Sequence, residues 1–285
     1  MARVIALSNQ KGGVGKTTSA VNIASSIAAA EKKVLLIDLD PQGNACSGVG
    51  IYPKDINQNM YHVLVDEEPL QNVILQTEMK FLNLAPSDQD LVGAEIELVS
   101  VIGRETRLKE AIDKVSDHYD FIFIDCPPAL GILTVNALTC ADSVIIPLQC
   151  EYYAMEGLSQ LLKTLKLIQK RLNTNLEIEG VLLTMYDKRN NLSSQVEQEV
   201  RQVLGDKVFD TVIPRNVKLS EAPSHGKPVI LYDIGSTGAN AYMELAQKLI
   251  EKYSNNTQKS DAKLTPPDIV SRETSLSPNE GVQTW

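Results

Sequence analysis

From residue 3 to about residue 253 the chain alternates short apolar runs with longer segments whose apolar residues recur at helical spacing. That is the pattern of strands buried in a parallel sheet and of helices packed on it. Strands are predicted at Val4–Ser8, Val34–Asp38, Phe81–Ala85, Phe121–Asp125, Ser143–Leu148, Ile178–Met185 and Val208–Ile213. A helix is predicted from Gly15 to Ala30, since Thr17 to Ala30 contains neither Gly nor Pro. A second runs from Gly157 to Leu172, where Leu158, Leu161, Leu162, Leu165 and Ile168 form a stripe that reads as core. The expected fold is α/β: a single doubly wound, mostly parallel sheet with helices on both faces, formed by residues 1–253. After Tyr253 the sequence turns to Ser, Thr, Asn and Gln with Pro266, Pro267 and Pro278, which predicts a disordered tail over residues 254–285.

Composition fits that picture. With 285 residues, 43% of them hydrophobic, the chain has enough apolar material for a core, so disorder throughout is excluded. Its 27 basic and 36 acidic side chains give a net charge of −9, which speaks against a nucleic-acid coat protein but is silent about a local basic patch. No apolar run approaches the roughly 20 residues needed to cross a bilayer. Met1 leads almost directly into a strand run rather than a basic leader, and the chain is expected to stay in the cytosol. Cys46, Cys126, Cys140 and Cys150 form no CxxC pair and predict reduced, mostly buried thiols. His62, His118 and His225 form no cluster and read as structural or exposed.

The chemistry begins after the first strand, where Asn9-Gln10-Lys11-Gly12-Gly13-Val14-Gly15-Lys16-Thr17-Thr18 leads into a helix. Glycines let backbone N–H groups converge on phosphate oxygens, and the helix N-terminus adds partial positive charge. Lys16 is expected to reach the β- and γ-phosphates, and the Thr17 hydroxyl to coordinate Mg²⁺. The usual pattern has a glycine where this chain has Gln10, with Lys11 beside Gly12 instead. Metal-assisted phosphoryl transfer also needs carboxylates at strand ends beside the loop, and Asp38, Asp40 and Asp125 all follow apolar strand runs.

The segment Lys11–Thr18 resembles the deviant Walker A box of the ParA/MinD family of P-loop ATPases. Asp38-Leu39-Asp40-Pro41-Gln42-Gly43-Asn44 and Asp125-Cys126-Pro127-Pro128 resemble its next two motifs, and the similarity continues through Val212–Asn216 and Ser220–Pro228. The resemblance implies a P-loop NTPase fold, ATP and Mg²⁺ as ligands, and ATP hydrolysis. It places Gly12, Gly13, Val14, Gly15, Lys16, Thr17 and Thr18 on the nucleotide, Asp125 on a Mg²⁺-bound water, Asp38 in support of the Mg²⁺ site, and Asp40 on the attacking water. Lys11 is implied to contact the nucleotide of the other subunit, so that ATP joins a homodimer that hydrolysis releases. Adenine is expected near Met185, Pro214 and Asn216, where the Asn216 amide could read the base edge.

For DNA the candidates are Lys188, Arg189, Arg215 and Lys218, with Lys163, Lys166, Lys170 and Arg171 as a second basic group on a helix; contact with phosphates would carry no sequence preference. The resemblance further implies nonspecific double-stranded DNA and a ParB-type centromere-binding protein as partners, a nucleoid-associated place in the cytoplasm, and a role in chromosome or plasmid segregation. A membrane-associated division regulator like MinD needs a C-terminal amphipathic helix, which the tail prolines disfavour. A metabolic P-loop enzyme that activates a small carboxylate is disfavoured by Lys11 and by the lack of an evident substrate domain. A subunit-bridging iron–sulfur cluster at Cys126 and Cys150 lacks the ligand loops of the nitrogenase iron protein.

Overall fold

The computed structural model describes the backbone of residues 1–261 and the side chains of residues 1–254. Met1–Lys248 form one compact unit, and a second begins at Leu249. The sheet has seven strands: β1 (Arg3–Leu7), β2 (Val34–Asp38), β3 (Leu75–Gln76), β4 (Leu82–Ala85), β5 (Phe121–Asp125), β6 (Ser143–Gln149) and β7 (Glu177–Thr184), in the order β3-β4-β2-β5-β1-β6-β7. All neighbours are parallel except β3 against β4. Every residue of β2 and β5 is buried, as continuous apolar runs in a sheet covered on both faces require.

From β1 the chain winds outward through β2 to β4, returns through β5, and crosses to β6 and β7 on the other side. Crossovers running in both directions from β1 reverse the strand order between β5, β1 and β6, the kind of switch point where α/β sheets open a crevice at the carboxyl ends of the strands. Leu7 pairs with Asp125, and Asp125 with Asp38, so the ends of β1, β5 and β2 lie level. The first helix, Lys16–Ala29, starts at the crevice and is almost wholly buried.

Three sequence-based expectations change. The antiparallel strand β3 has two residues, too few to show a period. Val208–Ile213 is not a strand: it runs beside β7 with isolated bridges only, Val181 to Val208 and Tyr186 to Pro214. The Phe209 and Ile213 N–H groups still donate to the Val181 and Leu183 carbonyls at 3.0 and 2.8 Å, and the Phe209 ring packs over Gly180, where a Cβ would come within 2.6 Å of it. The domain boundary at Tyr253 falls inside the last helix, Thr237–Asp261, so residues 254–261 are helical; the rest of the expected tail, residues 262–285, lies outside the described residues.

Candidate active site

The loop between β1 and the first helix owes its shape to glycine at two points. Gly13 (φ 73°) and Gly15 (φ 83°) are left-handed, a conformation that strains any side chain. Thr184 at the end of β7 donates to the Val14 carbonyl at 2.8 Å and braces the loop. Asn9 spans the other side: its amide donates to the Pro147 carbonyl of β6 at 2.7 Å, and its Oδ1 accepts the Lys11 N–H at 3.0 Å. The Lys16 ammonium donates to the Lys11 carbonyl at 3.1 Å. Burial depresses the Lys16 pKa, with Asp125, Cys126 and Asp40 pulling it back up.

Asp125 is fully buried, and neither carboxylate oxygen has a hydrogen-bond partner. Burial and the adjacent Asp38 push its pKa well up; the Thr17 hydroxyl and the Lys16 ammonium act the other way without closing a hydrogen bond to it. An unpartnered buried carboxylate is costly unless a cation shares the site. With the Thr17 hydroxyl beside it, it offers the hard oxygen donors that Mg²⁺ prefers, so the residues fit that ion.

Asp38 is differently placed. Its Oδ1 accepts the Asp40 N–H at 3.0 Å, and its Oδ2 accepts the N–H groups of Ala45 and Cys46 at 3.0 and 3.2 Å and the Cys46 thiol at 3.3 Å. These bonds moor the short helix Asn44–Gly48 and leave Asp38 little capacity for a metal. Burial raises its pKa to about 6, against the opposing hydrogen bonds from Asp40 and Cys46. Asp40 lies beyond the strand end, with Oδ1 accepting the Gln42 N–H at 3.0 Å and its carbonyl held by the Ser87 hydroxyl at 2.6 Å.

A cavity of about 560 Å³ opens over this loop. Its lining unites Gly12, Gly13, Gly15, Lys16, Thr17, Thr18 and Asp40 with Met185, Pro214 and Asn216 from the far end of the sequence. Met185 is itself left-handed (φ 48°), which turns the chain out of β7 at the cavity wall. Asn216 does not present a free amide to a base: Oδ1 accepts the Lys218 N–H at 2.8 Å as a helix cap, and Nδ2 donates to Thr237 at 2.6 Å. Gln42, Asn44, Pro128 and Tyr242 also line the cavity, and none was singled out from the sequence. The first three sit inside motifs read there. Tyr242, whose hydroxyl lies 3.0 Å from Ser19 Oγ, comes from the last helix and carries no local signal.

Three expected residues are elsewhere. Val14, expected on the nucleotide, is buried and does not line the cavity. Lys11 does not line the cavity, and its ammonium pairs with Glu151. Arg215, expected on DNA, does line it. The other basic candidates flank the site on two joined segments, for the Arg215 N–H donates to the Tyr186 carbonyl at 3.1 Å and so ties the loop bearing Lys188 and Arg189 to the turn leading to Lys218. Arg189 is held by Asp187 through bonds of 3.0 and 2.9 Å, and Lys218 by Glu221 at 2.9 Å. Lys163, Lys166, Lys170 and Arg171 lie on a separate element, the helix Ala154–Arg171.

Comparison with known proteins agrees with this geometry. Residues 2–178 match a family model described as an AAA domain. The chain is 58% identical over 249 residues to the sporulation initiation inhibitor protein Soj of Bacillus subtilis, covering 87% of this chain and 98% of Soj. It is 52% identical over 252 residues to the chromosome partitioning protein ParA of Myxococcus xanthus, covering 88% and 89%. Among solved structures, that of a cobyrinic acid a,c-diamide synthase from Mycobacterium smegmatis with bound ADP and magnesium superposes with a TM-score of 0.79 at 36% identity, covering 90% of this chain and 97% of that one. Loop, strand-end carboxylates and relatives agree: the chain belongs to the ParA/MinD family of deviant Walker A P-loop ATPases, among the ParA and Soj partitioning ATPases.

Proposed function

We propose that this chain is an ATP-driven partitioning switch, which pairs with a second copy when it holds ATP, binds DNA without sequence preference as that pair, and is released by hydrolysis. The observation that carries the reading is the unpartnered Asp125 carboxylate facing Lys16 and Thr17 beneath a glycine loop that opens into one cavity with Met185 and Pro214. Gly12 to Gly15 supply backbone N–H groups to the phosphates, and Lys16 places its charge between the β- and γ-phosphates. Asp125 and the Thr17 hydroxyl would hold Mg²⁺, and Asp38 keeps the Asp40 segment and the Asn44–Gly48 helix in register with them. When bound, Mg²⁺ supplies positive charge for the phosphate oxygens. Asp40, with Oδ1 committed to Gln42, uses Oδ2 to orient the attacking water and receive its proton.

Adenine lies against Met185 and Pro214, with Asn216 acting through the turn it caps rather than through its amide. Lys11 serves the nucleotide of the second copy, for Lys16 already answers the phosphates of its own. DNA contacts come from Lys188, Arg189 and Lys218, with Arg215 between them and the nucleotide. A ParB-type centromere-binding protein speeds hydrolysis and returns the chain to its single form. The likeness to Soj and ParA along nearly their whole length supports this reading.

A second reading, an ATP-dependent enzyme acting on a carboxylic acid, is favoured by the name of the M. smegmatis protein, a cobyrinic acid a,c-diamide synthase. Sedimentation with ATP or ADP, with and without nonspecific DNA, separates the two. Dimers that retain DNA only with ATP are expected of the switch; a single chain indifferent to DNA under both nucleotides overturns it.

A further inference from the structure

We propose that Glu151 is the resting counter-ion of Lys11, holding that side chain within its own chain until the triphosphate of a second chain takes its place. Exchange of the anion facing Lys11 then sets how readily two chains pair. The inference rests on the two-chain reading above and adds to it a residue and a direction of control.

The main chain of Lys11 is fixed at both ends: its N–H is bound by Asn9, itself anchored to β6, and its carbonyl by the Lys16 ammonium. Only the side chain is left to move. It turns away from the phosphate cavity and meets the Glu151 carboxylate, 140 positions along the chain. Glu151 is itself held in the tight turn after β6, its N–H donating to the Gln149 carbonyl and its carbonyl accepting the Ala154 N–H, both at 2.9 Å. The carboxylate is thus presented by a braced backbone, while both charged groups stay partly open to solvent, at 39% exposure for Lys11 and 47% for Glu151. The next two residues, Tyr152 and Tyr153, project at 77% and 66% exposure, so the latch lies on an accessible surface.

The strength of such a pair suits it to exchange. A half-exposed lysine–carboxylate contact shifts an equilibrium by only about two- to fivefold. A terminal phosphoryl group brings more charge and more acceptor oxygens, so it displaces the carboxylate when two chains meet. After hydrolysis the γ-phosphate is gone, and Glu151 recaptures Lys11. The same two side chains could instead pair across a dimer interface, but that arrangement predicts the opposite sign when the carboxylate is removed.

The test uses the full chain and Glu151→Gln, which keeps the shape and removes the charge, with Glu151→Asp as the variant that retains it. In nucleotide-free protein, acylation of the Lys11 amine is followed by mass spectrometry relative to the exposed Lys54. The expected result is a rise of about two- to fivefold in Glu151→Gln, with Glu151→Asp near wild type; equal labelling in all three overturns the resting contact. Sedimentation equilibrium with a non-hydrolysable ATP analogue then measures pairing. Glu151→Gln is expected to dimerise about two- to fivefold more tightly than wild type at low salt, the gap closing as salt screens the pair. A wild type that pairs while Glu151→Gln pairs equally or more weakly overturns the exchange alone, the weaker case placing Glu151 across the interface. A wild type that stays single overturns the exchange together with the two-chain reading.

Discussion

Two buried carboxylates stand side by side at the ends of β2 and β5, and their surroundings give them different work. Asp38 spends its oxygens on backbone N–H groups, whereas neither Asp125 oxygen has a hydrogen-bond partner and only the Thr17 hydroxyl and the Lys16 ammonium act to favour its charge. Asp40, two residues beyond Asp38, has an oxygen left for water. Asp40→Ala should therefore keep nucleotide affinity near wild type while slowing hydrolysis by about 100-fold or more; binding calorimetry and phosphate release check the two halves. The burial of Asp38 has a thermodynamic signature as well. Its folded pKa of about 6 lies above the usual carboxylate value near about 4. A raised value means that folding favours the protonated form, so the contribution is full below pH about 4 and is lost as pH rises through about 6. Relative to Asp38→Asn, wild type should lose stability over that window, as chemical denaturation at pH 4, 5, 6 and 7 would record; a constant difference removes the shift.

Elements are set by what lies beside them as much as by their own sequence. Val208–Ile213 has the apolar character of a strand, yet it bonds to β7 only at isolated points, and it packs the ring of Phe209 into the space that Gly180 leaves open. Gly180→Ala should destabilise the fold by about 1–3 kcal/mol through overpacking against the ring. Pairing it with Phe209→Leu should recover part of the loss in urea denaturation, and an additive double variant would place the strain elsewhere. The short turns work in the same way. Asn216 caps the helix Val217–Glu221, and Asp38 moors the helix Asn44–Gly48, so side chains that look like ligands in the sequence serve to hold backbone at the cavity rim.

At the scale of the whole molecule, the parallel strands deliver most of the candidate nucleotide residues to one cavity at their carboxyl ends, and the loop after β7 carries basic residues next to it in the chain. In the single chain Arg189 and Lys218 rest against Asp187 and Glu221, and DNA phosphates would have to replace those carboxylates. Arg189→Glu should leave ATP binding intact and abolish retention of the protein on nonspecific DNA. The milder Arg189→Ala should flatten the slope of log affinity against log salt by about one. Retention unchanged in both, measured by filter binding with ATP, would move the DNA face elsewhere.

The sequence by itself determined the alternation of buried strands and helices, the glycine loop with Lys16 and Thr17, and the carboxylates at strand ends, because each of these follows from local period or from backbone conformations only certain residues adopt. Met185 and Pro214 came from the family resemblance, Pro214 inside a contiguous motif and Met185 outside any. Tertiary structure decided the rest: that Lys11 faces Glu151, that Asn216 is spent on capping, that Arg215 turns to the nucleotide cavity, and that Tyr242 reaches it at all. Each of these depends on which of several partners a side chain meets across the sheet, and a pairing between residues 140 positions apart leaves no periodic trace in the chain that makes it.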